Sequence, residues 1–264
     1  TGASQGIGAA TARLFAQEGW DVALNYNQSR AEAEALAAEL SGLGVEAVPI
    51  QADVADPEQA ERLYRAGADV ITLGNHTFGK AQIAGQLEED PCLLRPANFT
   101  GRAPGRGWGV YECGRIQIGV MSLIGRCGLD FNADNPFTTA AKLLREDRPA
   151  LTLVDFHAEA TSEKLAMGYY LDGRISALWG THTHVPTADG QILPKGTGYL
   201  TDLGMTGPVT SVLGIRPEQS VEMFLGGLPG RYQVAPGPCK MQGAVFSLDS
   251  ENGLCLDVEQ VDIR

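Results

Sequence analysis

The sequence predicts an α/β fold built on a parallel sheet. Helical and strand-like segments alternate along the chain, and the strand-like segments are short apolar runs closed by glycine or polar turns. Strands that alternate with helices imply a parallel sheet with the helices covering it.

Taken in order, "TGASQGIG" (residues 1–8) is a glycine loop leading into the helical pattern "AATARLFAQEG". "DVALNY" reads as a short apolar strand. "SRAEAEALAAELSGLG" reads as an alanine- and glutamate-rich amphipathic helix stopped by glycine. "VEAVPIQADV" is a second strand, and "DPEQAERLYRAG" a helix with Asp56 at its N-cap and Pro57 at N1. "ADVITLGNHTF" is a strand ending in a polar turn. Residues 89–110 are a proline- and glycine-rich excursion, too irregular for one element. "RIQIGVMSLIG" and "ALTLVDF" follow as strands, with the helix "FTTAAKLLRED" between them. Thr161 or Ser162 is the expected cap of the helix "SEKLAMGYYL". Further strands are expected at "ISALWG", "GYLTDLG", "RYQVA", "GAVFSLDS" and "LCLDVEQVDI", with a helix in "PEQSVEMFLGGL". No repeat, low-complexity tract or linker interrupts the pattern.

Composition narrows the function classes. At 264 residues the chain can bury a full core as one large domain or two small ones. A net charge of −12 opposes a broad nucleic-acid or anionic-membrane surface, although a bound cation can reverse the field locally. No apolar run reaches the length of a membrane span, and residues 1–20 carry no signal-peptide pattern. The five cysteines, Cys92, Cys113, Cys127, Cys239 and Cys255, are scattered without a C-x-x-C pair. Neither a disulfide framework nor a thiolate metal site is indicated, and a reducing cytoplasm is expected.

Two features bear chemistry. Gly2, Gly6 and Gly8 spell a dinucleotide-type loop, which works between a buried strand and a helix N-terminus. Here that strand would have to lie before residue 1. The second feature is the histidines. The chain has four, His76, His157, His182 and His184, and each ends an apolar, strand-like run: "ITLGNH", "LTLVDFH" and "SALWGTHTH". Ligands of α/β sheets collect at the carboxyl ends of parallel strands. Imidazole with amide or carboxylate oxygen suits Zn, Mn or Fe. In "HTH", alternate residues of an extended segment point the same way, so His182 and His184 can reach one cleft. In "GNH", Asn75 offers an oxygen ligand and His76 an imidazole for acid–base work.

From about residue 66 to the C-terminus these motifs resemble the YmdB-like, calcineurin-type metallophosphoesterases. The matching stretches are "GADVITLGNHTF", "LLRPANF", "DFHAEATSEKLAMGYYLDGRISALWGTHTHVPTAD", "ILPKGTGYLTDLGMTGP" and "RYQVAPG". The resemblance implies a sandwich of β-sheets flanked by helices, two metal ions, and hydrolysis of phosphodiesters such as 2′,3′-cyclic nucleotides. By motif, Asn75, His157 and His182 correspond to ligands of one metal, His184 to a ligand of the other, and His76 to the group that protonates the leaving group or steadies the transition state. Asp155 and Glu159 flank His157, with Glu159 a candidate to orient an imidazole. Arg95 and Asn98 either meet a substrate phosphate or base or shape a surface loop, and Lys195 is a further phosphate candidate.

Residues 1–60 depart from that family. Its opening strand ending in "GDV" and its "N-G-E-N" turn, both metal-binding, are not found in this sequence. The segment instead resembles a short-chain dehydrogenase/reductase, through "TGASQGIG", "ALNYNQSR" and "QADVADPEQ". That second resemblance implies pyrophosphate contact at Gly2, Gly6 and Gly8, adenine contact at Asp53, and a lean toward NADP over NAD. Dehydrogenase chemistry is disfavoured because none of the seven tyrosines has a lysine four residues on, and NADP is disfavoured because a lone glycine loop is more often a tight turn than a cofactor site.

The expected organisation is thus a Rossmann-like βαβ segment, residues 1–60, merged with a metallophosphoesterase domain, residues 61–264, in one continuous unit. Asn75, His157 and His182 are three ligands with open positions, so one metal (Fe, Mn or Zn) is expected to bind firmly and the second weakly. Asp53 either supplies a missing carboxylate or is a plain turn aspartate, and Asn25 and Asn27 are lesser candidates of the same kind. The expected function is a metal-dependent phosphodiesterase, weakened by its exchanged N-terminus, acting on a small phosphodiester or nucleotide. The alternative is a non-catalytic metal- or NADP-binding hybrid with a relic site. A homo-oligomer is compatible with either reading.

Overall fold

The computed structural model describes residues 12–13, 16–17, 22–26, 30–51, 64, 67–130, 132–145, 148–228 and 230–264. Gly2, Gly6, Gly8, Asn27, Asp53, Asp56 and Pro57 lie outside the described residues. The chain divides into two compact units.

The first unit takes in the described part of residues 1–67 together with residues 205–242 and 261–264. Its strands β1 (Val22–Tyr26) and β2 (Ala47–Gln51) pair in parallel, with Leu24 opposite Pro49 and Asn25 opposite Ile50. The connection between them is α1 (Arg30–Ser41). Ala33, Leu36, Ala37 and Leu40 recur at helical spacing on one face of α1, and the last three pack with Leu24, Ala12 and Ala16. This is the βαβ unit expected from the sequence.

The expected strand in "RYQVA" does not form. Val234 makes one isolated bridge, to Ile215, and is 75% exposed, so no neighbouring face rewards its extension.

The second unit comprises residues 68–204 and 243–260. Its six-stranded sheet contains β5 (Trp108–Cys113), β6 (Ile116–Ile124), β7 (Leu151–His157), β8 (Ala177–Thr181), β9 (Gln191–Ile192) and β10 (Gly198–Leu200). The spatial order is β5-β6-β7-β8-β10-β9, with the four inner strands parallel and the two edges antiparallel. The apolar runs of β6 and β7 explain their central places, because parallel strands are covered on both faces. A separate parallel pair joins β3 (Ile71–Thr72) to β4 (Leu93–Leu94).

Helix α2 (Ile83–Glu89) precedes β4 and was not expected from the sequence. It has no side-chain cap and buries only Leu87, so it carries neither a start signal nor an apolar stripe. The excursion at residues 89–110 also holds more structure than expected, since it contains β4 and the start of β5. Arg95 and Asn98 are buried there as structural groups. The Arg95 guanidinium donates to the carbonyls of Pro104 (3.0 Å), Pro96 (2.8 Å) and Ala103 (3.2 Å). Asn98 bridges Ile124 and the Asp134 carbonyl.

Helix α3 (Pro136–Leu143) starts at Asn135, whose side chain accepts from the amides of Phe137 and Thr138, and at Pro136 in the first turn. Helix α4 (Thr161–Leu171) begins differently from expectation: its N-cap is Ala160 and no side chain caps it. Thr161 is already the first helical residue. Lys164, Met167, Gly168 and Leu171 form the buried stripe of α4. Met167 and Leu171 join a core with Met121, Leu123, Val154, Phe156, Leu178 and Tyr199.

Among the described residues, no helix is long and apolar enough to cross a membrane.

Candidate metal centre

The parallel register sets Ile124 of β6, His157 of β7 and Thr181 of β8 side by side at the carboxyl edge of the sheet. The turns that follow β3 and β8 bring the other groups to the same edge. Gly74 lies between Leu73, whose carbonyl accepts from Ser122 Oγ (3.1 Å), and Asn75. A Cβ on Gly74 would sit 2.5 Å from Nδ1 of His157 and closer still to Cε1 and Nε2. Only glycine lets the backbone lie against that ring. Thr77 closes the turn, donating from Oγ1 to the Gly74 carbonyl at 2.6 Å.

Three side chains meet at one point. Nε2 of His157 lies 2.9 Å from Asn75 Oδ1 and 3.1 Å from Nδ1 of His182, and the two rings cross edge-on with centroids 4.8 Å apart.

The outer partners fix which ring nitrogens carry hydrogen. Thr181 Oγ1 donates its single proton to Asp155 Oδ1 (2.9 Å), so it accepts from Nδ1–H of His157 (2.9 Å). His182 Nε2 faces Glu159 Oε2 at 3.0 Å and donates to it. Burial pushes His157 down to about 4, helped by the neighbouring His182, and burial also holds His182 below its ordinary value. Both rings are therefore neutral near pH 7. Burial pushes Asp155 up to about 6, against hydrogen bonds from Thr72 and Thr181. It is still ionised at pH 7 and serves as an acceptor.

With one hydrogen on each outward nitrogen, the inward atoms His157 Nε2, His182 Nδ1 and Asn75 Oδ1 all present lone pairs to one another. Acceptors at 2.9 and 3.1 Å repel unless a cation sits between them. Two imidazoles and an amide oxygen are a suitable donor set for a borderline divalent ion such as Zn, Mn or Fe. Among the described residues, no three His, Cys, Asp or Glu side chains form such a group; the convergence depends on the amide.

The remaining sequence-selected residues lie further out. His184 is exposed, near enough that its charge opposes protonation of His157 and His182. His76 is exposed on the turn that carries Asn75. Lys195 is distant in the topology, preceding β10 rather than following a parallel strand, and its amide donates to Asp172 Oδ2 at 2.9 Å. Gly2, Gly6, Gly8 and Asp53 lie outside the described residues. Sequence reasoning missed Thr181, Thr72 and Gly74, although Thr181 stands directly before "HTH" at a strand end and Gly74 directly before Asn75.

Comparison with known proteins bears on the family and the fold. The family model described as "YmdB-like protein" matches residues 54–261, and the model "short chain dehydrogenase" matches residues 1–89. The 2′,3′-cyclic-nucleotide 2′-phosphodiesterase of Bacillus subtilis is 45% identical over 204 residues, which is 76% of this chain and 77% of that one. A crystal structure titled as a novel phosphatase of Mycoplasma pneumoniae superposes with a TM-score of 0.74 at 31% identity, covering 92% of each chain. At the other end, L-rhamnose 1-dehydrogenase of a Sphingomonas species is 42% identical over 83 residues, 31% of this chain and 30% of that one. With most of its length matched by one model, the chain belongs to the YmdB-like family, and it begins with a segment similar to short-chain dehydrogenases.

Proposed function

We infer that this hydrolase is a metal-dependent phosphodiesterase in which Asn75, His157 and His182 hold one divalent cation of the Fe, Mn or Zn kind. The observation that carries the reading is the set of three inward lone pairs, with the two imidazoles pinned by outward hydrogen bonds to Thr181 and Glu159. His184 would belong to a second position. Without the "GDV" aspartate and the "N-G-E-N" carboxylate that position is weak, because little negative charge remains to let two cations approach. Substrates of the 2′,3′-cyclic nucleotide class are supported by the Bacillus subtilis relative.

A cation in this site would polarise a phosphoryl oxygen and acidify a bound water. The chain's own residues do the rest. Asp155 and Thr181 keep Nε2 of His157 free of hydrogen, and Glu159 does the same for Nδ1 of His182. Gly74 sets Asn75 against His157. His76, exposed beside Asn75, would give a proton to the departing ester oxygen.

The test is metal content together with hydrolysis of bis(p-nitrophenyl) phosphate. We expect about one Mn ion per chain, with turnover below that of the Bacillus subtilis relative, and loss of both in His157→Ala. Metal far below that ratio, with hydrolysis unchanged in His157→Ala, would end the reading.

A further inference from the structure

We propose that the buried ion pair Lys164–Asp202 is a positioning device that holds the His182–Thr183–His184 turn in its cation-binding form, an inference that rests on the metal-dependent reading above. Lys164 Nζ lies 2.7 Å from Asp202 Oδ2, and the two side chains are 0% and 1% exposed. Taking both charges out of water is costly, and an apolar pair of similar volume would fill the space without that cost. What an apolar pair could not do is grip the turn. Asp202 Oδ2 also accepts from Thr183 Oγ1 at 2.8 Å and from the Thr183 amide at 3.2 Å. Its other oxygen, Oδ1, accepts from the Gly204 amide at 3.0 Å, and its own amide donates to Thr187 Oγ1 at 2.9 Å.

The turn needs holding. His182 has φ 102° and His184 has φ 64°, both in the left-handed region that residues with a Cβ avoid. Thr183 sits between them and carries both contacts to Asp202, so the carboxylate fixes the residue that links the two histidines. Lys164 holds that carboxylate in place. It comes from α4, where it occupies the buried stripe with Met167 and Leu171. Gly180 makes room for it, because a Cβ there would lie 2.7 Å from Lys164 Cδ and nearer still to the Thr201 carbonyl oxygen. Neither Lys164 nor Asp202 joins the three groups that converge on the cation position. Their charges act directly on both rings, Lys164 against protonation and Asp202 for it, while their hold on the geometry of the turn runs through Thr183.

The experiment uses the full chain and four proteins: wild type, Lys164→Met, Thr183→Val and His157→Ala. Mn2+ affinity is read by titration calorimetry, and hydrogen exchange of the amide at position 183 is read relative to amides of β7. We expect Lys164→Met to weaken Mn2+ binding about tenfold or more and to speed exchange at position 183 by a similar factor. Thr183→Val removes only the hydroxyl of a half-buried residue and should weaken Mn2+ about fivefold. If Lys164→Met cannot be purified folded, Thr183→Val decides, and an Mn2+ affinity within about twofold of wild type overturns the proposal. His157→Ala separates the two readings. If wild type binds Mn2+ no better than His157→Ala, the metal-dependent reading fails. The clamp then stands on exchange alone, and unchanged protection at position 183 in Lys164→Met overturns it.

Discussion

Gly74→Ala puts the site under the most direct strain. The added Cβ would lie 2.5 Å from His157 Nδ1 and nearer to two other ring atoms, whereas ordinary van der Waals contact begins at 3.4 Å. Either the imidazole or the turn must give way by about 1 Å. The ring cannot do so freely, because Nδ1 is bonded to Thr181 and Nε2 faces Asn75, each at 2.9 Å. Overpacking and the loss of the Thr181 bond together cost about 2–3 kcal/mol. For a unit of this size that corresponds to a fall in Tm of about 4–12 °C. Because His157 and Asn75 separate, Mn2+ affinity should also fall by about 10–100-fold. Differential scanning calorimetry and Mn2+ titration calorimetry read the two effects. A Gly74→Ala protein with unchanged Tm and unchanged Mn2+ affinity would refute the claim that this glycine is pressed against a cation-binding ring.

Two further outcomes follow from the same geometry. Thr181→Val is nearly isosteric but deletes the link between Asp155 and His157, so Mn2+ affinity should drop about 10–100-fold and Thr181→Ser should restore it; equal affinities for wild type and Thr181→Val would show that the link is idle. Arg95→Met leaves the buried Pro96 carbonyl and the partly buried Ala103 and Pro104 carbonyls without their donor and should cost about 1–3 kcal/mol by chemical denaturation with KM unchanged, and a raised KM at unchanged stability would return Arg95 to the substrate.

Much of the sheet was legible because continuous apolar runs have one economical use. Segments such as "LTLVDFH" and "IQIGVMSLI" are too apolar for an edge and too short for a helix, and both became central parallel strands. The misses share a cause. The seven residues of α2 and the two residues of β4 carry no period of their own and are set by neighbours. "RYQVA" had the composition of a strand but no face to cover it, and composition alone cannot supply a partner. Thr161 and Ser162 looked like caps by residue type, yet Ala160 holds the N-cap position and Thr161 is already helical.

The site divides along the same line. Residue type and strand-end position were enough to select Asn75, His157 and His182, and the fold sets Asn75 Oδ1 and His182 Nδ1 at 2.9 and 3.1 Å from Nε2 of His157. The groups that give them chemical meaning could not be selected that way. Thr181 is an ordinary strand residue until the register sets it beside His157, and Lys164 is a surface-type residue until α4 turns it inward. Asp155 was visible only as a neighbour of His157, and its part depends on a hydroxyl from another strand. Ligands announce themselves by element preference, while the partners that fix a ring's hydrogen are ordinary residues in particular places. In a chain whose first sixty residues resemble another family, that distinction matters. The inward-facing groups and their outward bonds all come from residues 72–182, so this cluster draws on nothing in the first sixty residues. The second position proposed for exposed His184 would need carboxylates of the kind carried by the "GDV" and "N-G-E-N" motifs, which this sequence does not contain.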